Sequence, residues 1–161
     1  MFFILCIAII AVIPAIAVFL NIYTQTLTKA GDVTLIPGVF KLTYSENRGV
    51  AFGLFQNSTV FFAVTTSIVI IAFIIVLFKN YKKSKLLSLA CAFIIGGGAA
   101  NLFERVAYGY VYDYLSLSFF PPICNFADYC ITAGTVMLVV YLLFFSDMMK
   151  DSKKVKTDDA A

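Results

Sequence analysis

No histidine occurs anywhere in the 161 residues, and only 13% of the chain is charged. The first absence removes Ser-His-Asp and Cys-His nucleophilic sites, the HExxH zinc site and any intramembrane Ser-His dyad. The second, set against a hydrophobic share of 61%, lies far from the soluble average of roughly half apolar and a quarter charged. The bilayer is the expected solvent. A net charge of +3 sits in two short basic tracts, not along a face that tracks a phosphate backbone, so nucleic acid is not an expected partner. Cys6, Cys91, Cys124 and Cys130 form no CxxC pair. They read as small packing residues, with a Cys124–Cys130 disulfide on an oxidising face as the alternative.

What is present is apolar length. A spanning helix needs about 20 mostly apolar residues, and four stretches qualify: about Phe2 to Tyr23, Val60 to Phe78, Leu86 to Leu102 and Ile131 to Phe145. The first carries an Ala15-Ile16-Ala17 resembling a cleavage site but has no basic leader, so a retained anchor is expected. Lys79, Lys82, Lys83 and Lys85 follow the second run, and Lys150, Lys153, Lys154 and Lys156 follow the fourth. Lys and Arg mark the cytoplasmic side, which puts both termini inside and two segments outside, Thr24 to Thr59 and Phe103 to about Asp128. Residues 1–149 form one expected domain, and 150–161 a disordered polar tail.

In the first outer segment, Val39-Phe40-Lys41-Leu42-Thr43-Tyr44 followed by Glu46-Asn47-Arg48-Gly49 reads as strand then turn. The fold class is therefore an all-α integral membrane bundle of four helices with a small amphipathic sheet on its outer face. In the second segment Tyr108, Tyr110, Tyr112 and Tyr114 recur every two residues, as in an aromatic belt at the headgroups. Gly96-Gly97-Gly98-Ala99-Ala100 supplies small residues for close helix approach.

Three acids, Glu104, Asp113 and Asp128, stand near helix ends where burying a charge costs several kcal/mol. If the third and fourth helices are antiparallel neighbours, Asp113 and Asp128 meet at one depth. Two carboxylates held together share a proton, leaving one as base and one as acid. That pair hydrolyses peptide bonds with neither metal nor histidine. On the other reading, Asn125-Phe126-Ala127-Asp128 is a helix cap with an acid in the first turn, and Asp113 is an interfacial loop residue. Asn101 and Arg105 share a helix face and either orient the carboxylates or, for Arg105, snorkel to a headgroup. Glu104 reads as a counter-charge for Arg105. Asn47 and Arg48 suit a turn on structural grounds alone.

Taken in order, these stretches resemble the lipoprotein signal peptidases (signal peptidase II), four-helix aspartic peptidases of the bacterial cytoplasmic membrane. The similarity runs from about Leu20 to Leu143. Its motifs are Glu46-Asn47-Arg48-Gly49-Val50-Ala51-Phe52-Gly53, Gly97-Gly98-Ala99-Ala100-Asn101-Leu102 with Arg105, Val111-Tyr112-Asp113-Tyr114, and Asn125-Phe126-Ala127-Asp128. The resemblance makes Asp113 and Asp128 the catalytic pair, with Asn47, Arg48, Asn101, Arg105 and Asn125 lining or bracing the site. It implies no metal or other cofactor and a prolipoprotein substrate cut just before a cysteine that carries a diacylglyceryl group; a monomer in contact with membrane lipid is the simplest expectation. The chain departs from the pattern where Asn21-Ile22-Tyr23-Thr24-Gln25 replaces Asp-Gln-x-Thr-Lys, and where Glu104 replaces the aspartate before the arginine. An inactive relative that binds lipidated precursors and a small proton-relay subunit are the competing readings. A presenilin-like protease lacks its Gly-x-Gly-Asp partner motif here.

Overall fold

The computed structural model describes residues 1–49 and 59–145. Val50 to Gly53 of the first motif and the whole 150–161 tail lie outside the described residues. The chain runs α1 (Phe2–Thr28), β1 (Val33–Ile36), β2 (Phe40–Asn47), α2 (Thr59–Asn80), α3 (Lys85–Tyr108), β3 (Val111–Leu117), β4 (Phe120–Cys124) and α4 (Phe126–Phe144). All four helices are long and apolar enough to cross a membrane.

Three of the four helices extend beyond their apolar runs at the same end of the bundle. α1 continues to Thr28 on a stripe of Cys6, Ile13, Ala17, Asn21, Thr24 and Thr28, spaced by the helical period so that its polar last turns stay buried with the apolar ones. α3 goes on through Asn101, Glu104 and Arg105 and stops at Gly109, whose φ of 79° is the left-handed conformation that a helix end favours. α4 begins at Phe126, five residues before its apolar run, because Asn125 and Asp128 form a reciprocal capping box.

α3 is the central helix and packs against α1, α2 and α4. Its buried face carries Ala90, Cys91, Ala92, Gly96, Gly97, Gly98 and Ala100, the small residues that let backbones approach where lipid tails leave no hydrophobic drive between helices. α2 is the opposite case, with Leu77 as its one buried residue among those described and Val64, Ile68 and Ile71 fully outward. At Gly97 an added Cβ would lie 2.6 Å from the Ala127 carbonyl and 2.7 Å from Ile131. Gly97→Ala is therefore expected to separate α3 from α4 and cost about 1–3 kcal/mol. Thermal unfolding in detergent would register this as a lowered Tm, and an unchanged Tm would mean the helices part freely.

The strands form one antiparallel sheet in the order β1-β2-β3-β4. β1 and β2 belong to the α1–α2 connection, and β3 and β4 to the α3–α4 connection. The pairing of β2 with β3, from Phe40 opposite Leu117 to Asn47 opposite Val111, therefore ties both connections together at one end of the bundle. The lysine loop between α2 and α3 lies at the other end.

One expectation needs correction, and the reading of the cysteines as packing residues stands. Tyr112 and Tyr114 are not a headgroup belt: both are buried against Leu42, with Leu20 and Phe126 packed on them, and Tyr108 is helical. Both faces of β3 are covered, so Asp113 is as buried as its tyrosine neighbours. No disulfide joins Cys124 to Cys130; all four cysteines are free, and Cys6, Cys91 and Cys130 are buried.

Candidate active site

Asp113 and Asp128 come from different elements and are joined through two amides. The Asp113 carboxylate accepts a hydrogen bond from Asn125 Nδ2 at 2.9 Å and another from Asn47 Nδ2 at 2.8 Å. Asp128 accepts from Asn101 Nδ2 at 2.8 Å and from the Asn125 backbone N–H at 3.0 Å. Asn125 Nδ2 also donates to Asn101 Oδ1 at 3.1 Å. The path Asp113–Asn125–Asn101–Asp128 is thus continuous, and it spans β3, the α4 cap and α3.

The capping reading and the dyad reading of Asp128 hold together. Asn125 Oδ1 accepts the Asp128 N–H at 3.0 Å while Asp128 returns a bond to the Asn125 N–H. This satisfies two orphan donors of the first turn, and the cap fixes Asp128 Oδ2 while leaving Oδ1 on Asn101. Tyr114 adds a third anchor, its hydroxyl accepting the Phe126 N–H at 3.3 Å.

Asp113 is 2% exposed. Burial, and then the neighbouring Asp128 charge, push its carboxyl up from an ordinary 3.8 to about 7, against the opposing pull of Asn47, Asn125 and Arg105. A carboxyl raised in this way keeps its proton toward neutral pH, as a general acid requires. Asp128 is less deeply buried than Asp113. Arg105 supplies positive charge that acts on both aspartates, but it makes no ion pair with either among the described residues. Its guanidinium bonds weakly to the Asn101 and Gly49 carbonyls at 3.4 Å and lies over the Phe62 ring, with Nε buried and unpartnered.

Of the seven residues singled out from the sequence, Asp113, Asp128, Asn47, Asn101 and Asn125 share one hydrogen-bonded network, and Arg105 borders it. Arg48 stands apart. Its guanidinium bonds Glu46 at 2.7 Å and lies over Tyr110, while its backbone carbonyl accepts from Thr59 Oγ1 at the start of α2. Sequence reasoning read Glu104 as a counter-charge for Arg105 and Tyr114 as part of an aromatic run, and gave neither a place in the site. Glu104 is 5% exposed and points away from Arg105's partners, accepting from Asn21 Nδ2 and, at 2.8 Å, from the Tyr112 N–H. Among the described residues no group of three or more His, Cys, Asp or Glu side chains is placed to hold a metal ion.

Comparison with known proteins agrees with this architecture. The family described as Signal peptidase (SPase) II matches residues 6–144. A lipoprotein signal peptidase of Clostridium acetobutylicum is 37% identical over 132 residues, covering 80% of this chain and 82% of the relative. That of Caldanaerobacter subterraneus subsp. tengcongensis is 41% identical over 138 residues, 83% of this chain and 94% of the relative. That of Streptococcus thermophilus is 45% identical over 111 residues, 68% and 72%. A bacterial membrane enzyme solved by the in meso method at 2.3 Å resolution shares the fold with a TM-score of 0.74 over 86% of this chain and 87% of its own, at 23% identity. Another, at 1.9 Å, superposes with a TM-score of 0.67 over 84% and 95%, at 26% identity. With four helices of spanning length and a match that runs nearly end to end through them, this chain is a multi-pass membrane protein and belongs to the signal peptidase II family.

Proposed function

We propose that this protein is an aspartic endopeptidase of the bacterial inner membrane. It removes signal peptides from prolipoproteins and cuts just before a cysteine that already carries a diacylglyceryl group. The observation that carries the reading is the pair of carboxyls, Asp113 and Asp128, joined through the amides of Asn125 and Asn101. Family membership supplies the substrate class; the paired acids supply the chemistry.

In the resting pair a single proton is shared. The ionised member takes a proton from a water as the water oxygen attacks the scissile carbonyl carbon. The protonated member gives its proton to the carbonyl oxygen, producing a neutral tetrahedral diol. Collapse returns one hydroxyl proton to the pair and passes the first acid's new proton to the leaving nitrogen as the C–N bond breaks. The products are a signal-peptide carboxyl and the free amine of the lipidated cysteine, and the pair is left with one proton. Asn101 and Asn125 donate to the carboxylates and hold their orientation. Arg105 lowers the cost of the net negative charge.

The lipid on the substrate sets the depth of the scissile bond, so binding at the bilayer surface does the positioning. The sheet rests on the outer face of the membrane, both termini are cytoplasmic, and Asn47 and Arg48 border the entry for substrate. Residues 1–149 are the catalytic domain of a monomer, and residues 150–161 take no part.

The test is cleavage of a diacylglyceryl-modified prolipoprotein by the purified protein in detergent, followed by gel shift across pH. The rate is expected to be bell-shaped, because both the empty and the doubly protonated pair are inactive. The sign is set by Asp113. As pH rises through about 7, where burial and Asp128 hold its carboxyl, the shared proton leaves and activity falls; the acid limb lies below. Absence of cleavage by folded protein at every pH would favour a non-catalytic binder of lipidated precursors.

A further inference from the structure

We propose that Glu104 is a positioning residue for the Asp113 carboxyl, and that it works only while its partner on α1 is an amide. This rests on the aspartic-peptidase reading above. Neither oxygen of Glu104 is hydrogen-bonded to the paired aspartates, although the Asp128 charge acts on it. One accepts from Asn21 Nδ2 on α1, and the other accepts the backbone N–H of Tyr112, the residue immediately before Asp113. The carboxylate therefore bridges three elements, α1, α3 and β3, at the point where the chain presents Asp113. A second tie lies alongside, with Thr28 Oγ1 on α1 at 3.1 Å from the Tyr112 hydroxyl. Glu104 and Asn21 are 5% and 7% exposed, so removing one partner leaves a largely buried polar group on the other.

The position of Tyr112 within the sheet explains why this matters for Asp113. The β2–β3 ladder has an irregularity between Leu42 and Ser45, close to where Ser45 pairs with Asp113. The regular pairs Ser45–Asp113, Glu46–Tyr112 and Asn47–Val111 end at Asp113 on that side, and next to it the Tyr112 N–H is held by the Glu104 side chain. A shift of the strand by a few tenths of an ångström would carry Asp113 away from Asn125 and Asn47, on which its orientation depends.

The amide requirement follows from the donor inventory. A carboxylate can only accept, so its α1 partner must donate. Asn21 does so with Nδ2, leaving its buried Oδ1 without a partner. An aspartate at 21 would oppose two buried carboxylates. Gln25 lies one turn further along α1 and lines the same cavity of about 150 Å³ as Asn21, Glu104 and Tyr112, so a lysine there would bring an ammonium to that pair.

Four variants test this on one lipidated prolipoprotein, with kcat, KM and the pH profile measured for each. Glu104→Ala is expected to lower kcat at least about tenfold with KM within about twofold, and to bring the two limbs of the bell closer by about half a pH unit as the carboxyls uncouple. Glu104→Gln should stay within about threefold of wild type, because its carbonyl takes the Tyr112 N–H and its NH2 meets Asn21 Oδ1 once that amide turns over. Asn21→Asp should fall as far as Glu104→Ala, and Asn21→Asp with Gln25→Lys should return to within about threefold. The proposal is overturned if Glu104→Ala keeps wild-type kcat. It is equally overturned if activity falls only in proportion to folded protein with the bell unmoved, or if Asn21→Asp alone is fully active. Failure of the wild type to cleave would instead overturn the peptidase reading itself.

Discussion

Asp113→Asn and Asp128→Asn are each expected to lower kcat by at least about a thousandfold on a lipidated prolipoprotein, since each removes a proton carrier that nothing else in the network replaces. The two variants should differ in stability, which separates lost chemistry from lost fold. Asp113 has a carboxyl pushed up from 3.8 to about 7 in the folded protein. A group raised in this way contributes stability that is fully present below its unfolded value and lost as pH rises through its folded value. Wild type should therefore lose stability between about pH 4 and 7 from this residue and Asp113→Asn should not, so the Tm deficit of this variant, which comes from an NH2 set against Asn47 Nδ2 or Asn125 Nδ2, narrows as pH rises. Asp128→Asn has a deficit of another origin, without that pH trend. Its new amide puts an NH2 against the Asn125 N–H or against Asn101 Nδ2, one of which loses its acceptor, and half of the capping box is gone at a cost of about 1 kcal/mol. Thermal melts of both variants beside the cleavage assay give the comparison. Full cleavage by either variant would sink the two-aspartate mechanism, and an inactive Asp113→Asn whose Tm deficit did not narrow between pH 4 and 8 would show a folding role instead.

How much of this was legible in the sequence depended on what each signal measures. Hydropathy located four helices, because apolar length alone decides whether a segment can span. It misplaced their ends, because the α1 and α3 runs end where polar residues begin while Thr24, Thr28, Asn101 and Glu104 continue those helices into a buried polar layer. The cap at Asn125 was readable as a motif, yet the apolar count put the start of α4 at Ile131. The period-two tyrosines pointed to an extended segment, which β3 is, but they said nothing about cover. Tyr112 and Tyr114 are buried because α1 and β2 pack on them, a tertiary fact with no local trace.

The site divides in the same way. Asp113, Asp128 and Asn101 drew attention by residue type near helix ends, whereas Asn47 and Asn125 entered the candidate site through the family pattern. Glu104 was read as the counter-charge of Arg105, its neighbour in sequence, and the two charges do act on each other, but adjacent helical residues point to different faces and its hydrogen bonds go elsewhere. Its partners are 83 and 8 residues away. Arg48 was grouped with Asn47 for the same reason. Strand alternation sends Asn47 toward Asp113, and the turn sends Arg48 to Glu46 and Tyr110.

Asn125 is the residue at which fold and chemistry are hardest to separate, and three substitutions there are expected to separate them. Its Oδ1 caps α4, its Nδ2 bonds both Asp113 and Asn101, and its backbone N–H holds Asp128. Serine is also a good cap, so Asn125→Ser should keep the start of α4 and its Tm while removing the bridge between the carboxyls. With neither Asp113 nor Asn101 receiving the amide donor, kcat should fall about a hundredfold, the size of effect seen when one oriented donor is lost from a buried site. Aspartate also caps but brings a third carboxylate against Asp113. That charge raises the Asp113 carboxyl beyond about 7, so the surviving activity of Asn125→Asp should peak at higher pH than that of wild type. Alanine loses both roles and should show the kcat loss of serine together with a Tm drop. If Asn125→Ser retained wild-type kcat, the amide bridge would be a by-product of the cap, and the two aspartates would be coupled through space alone.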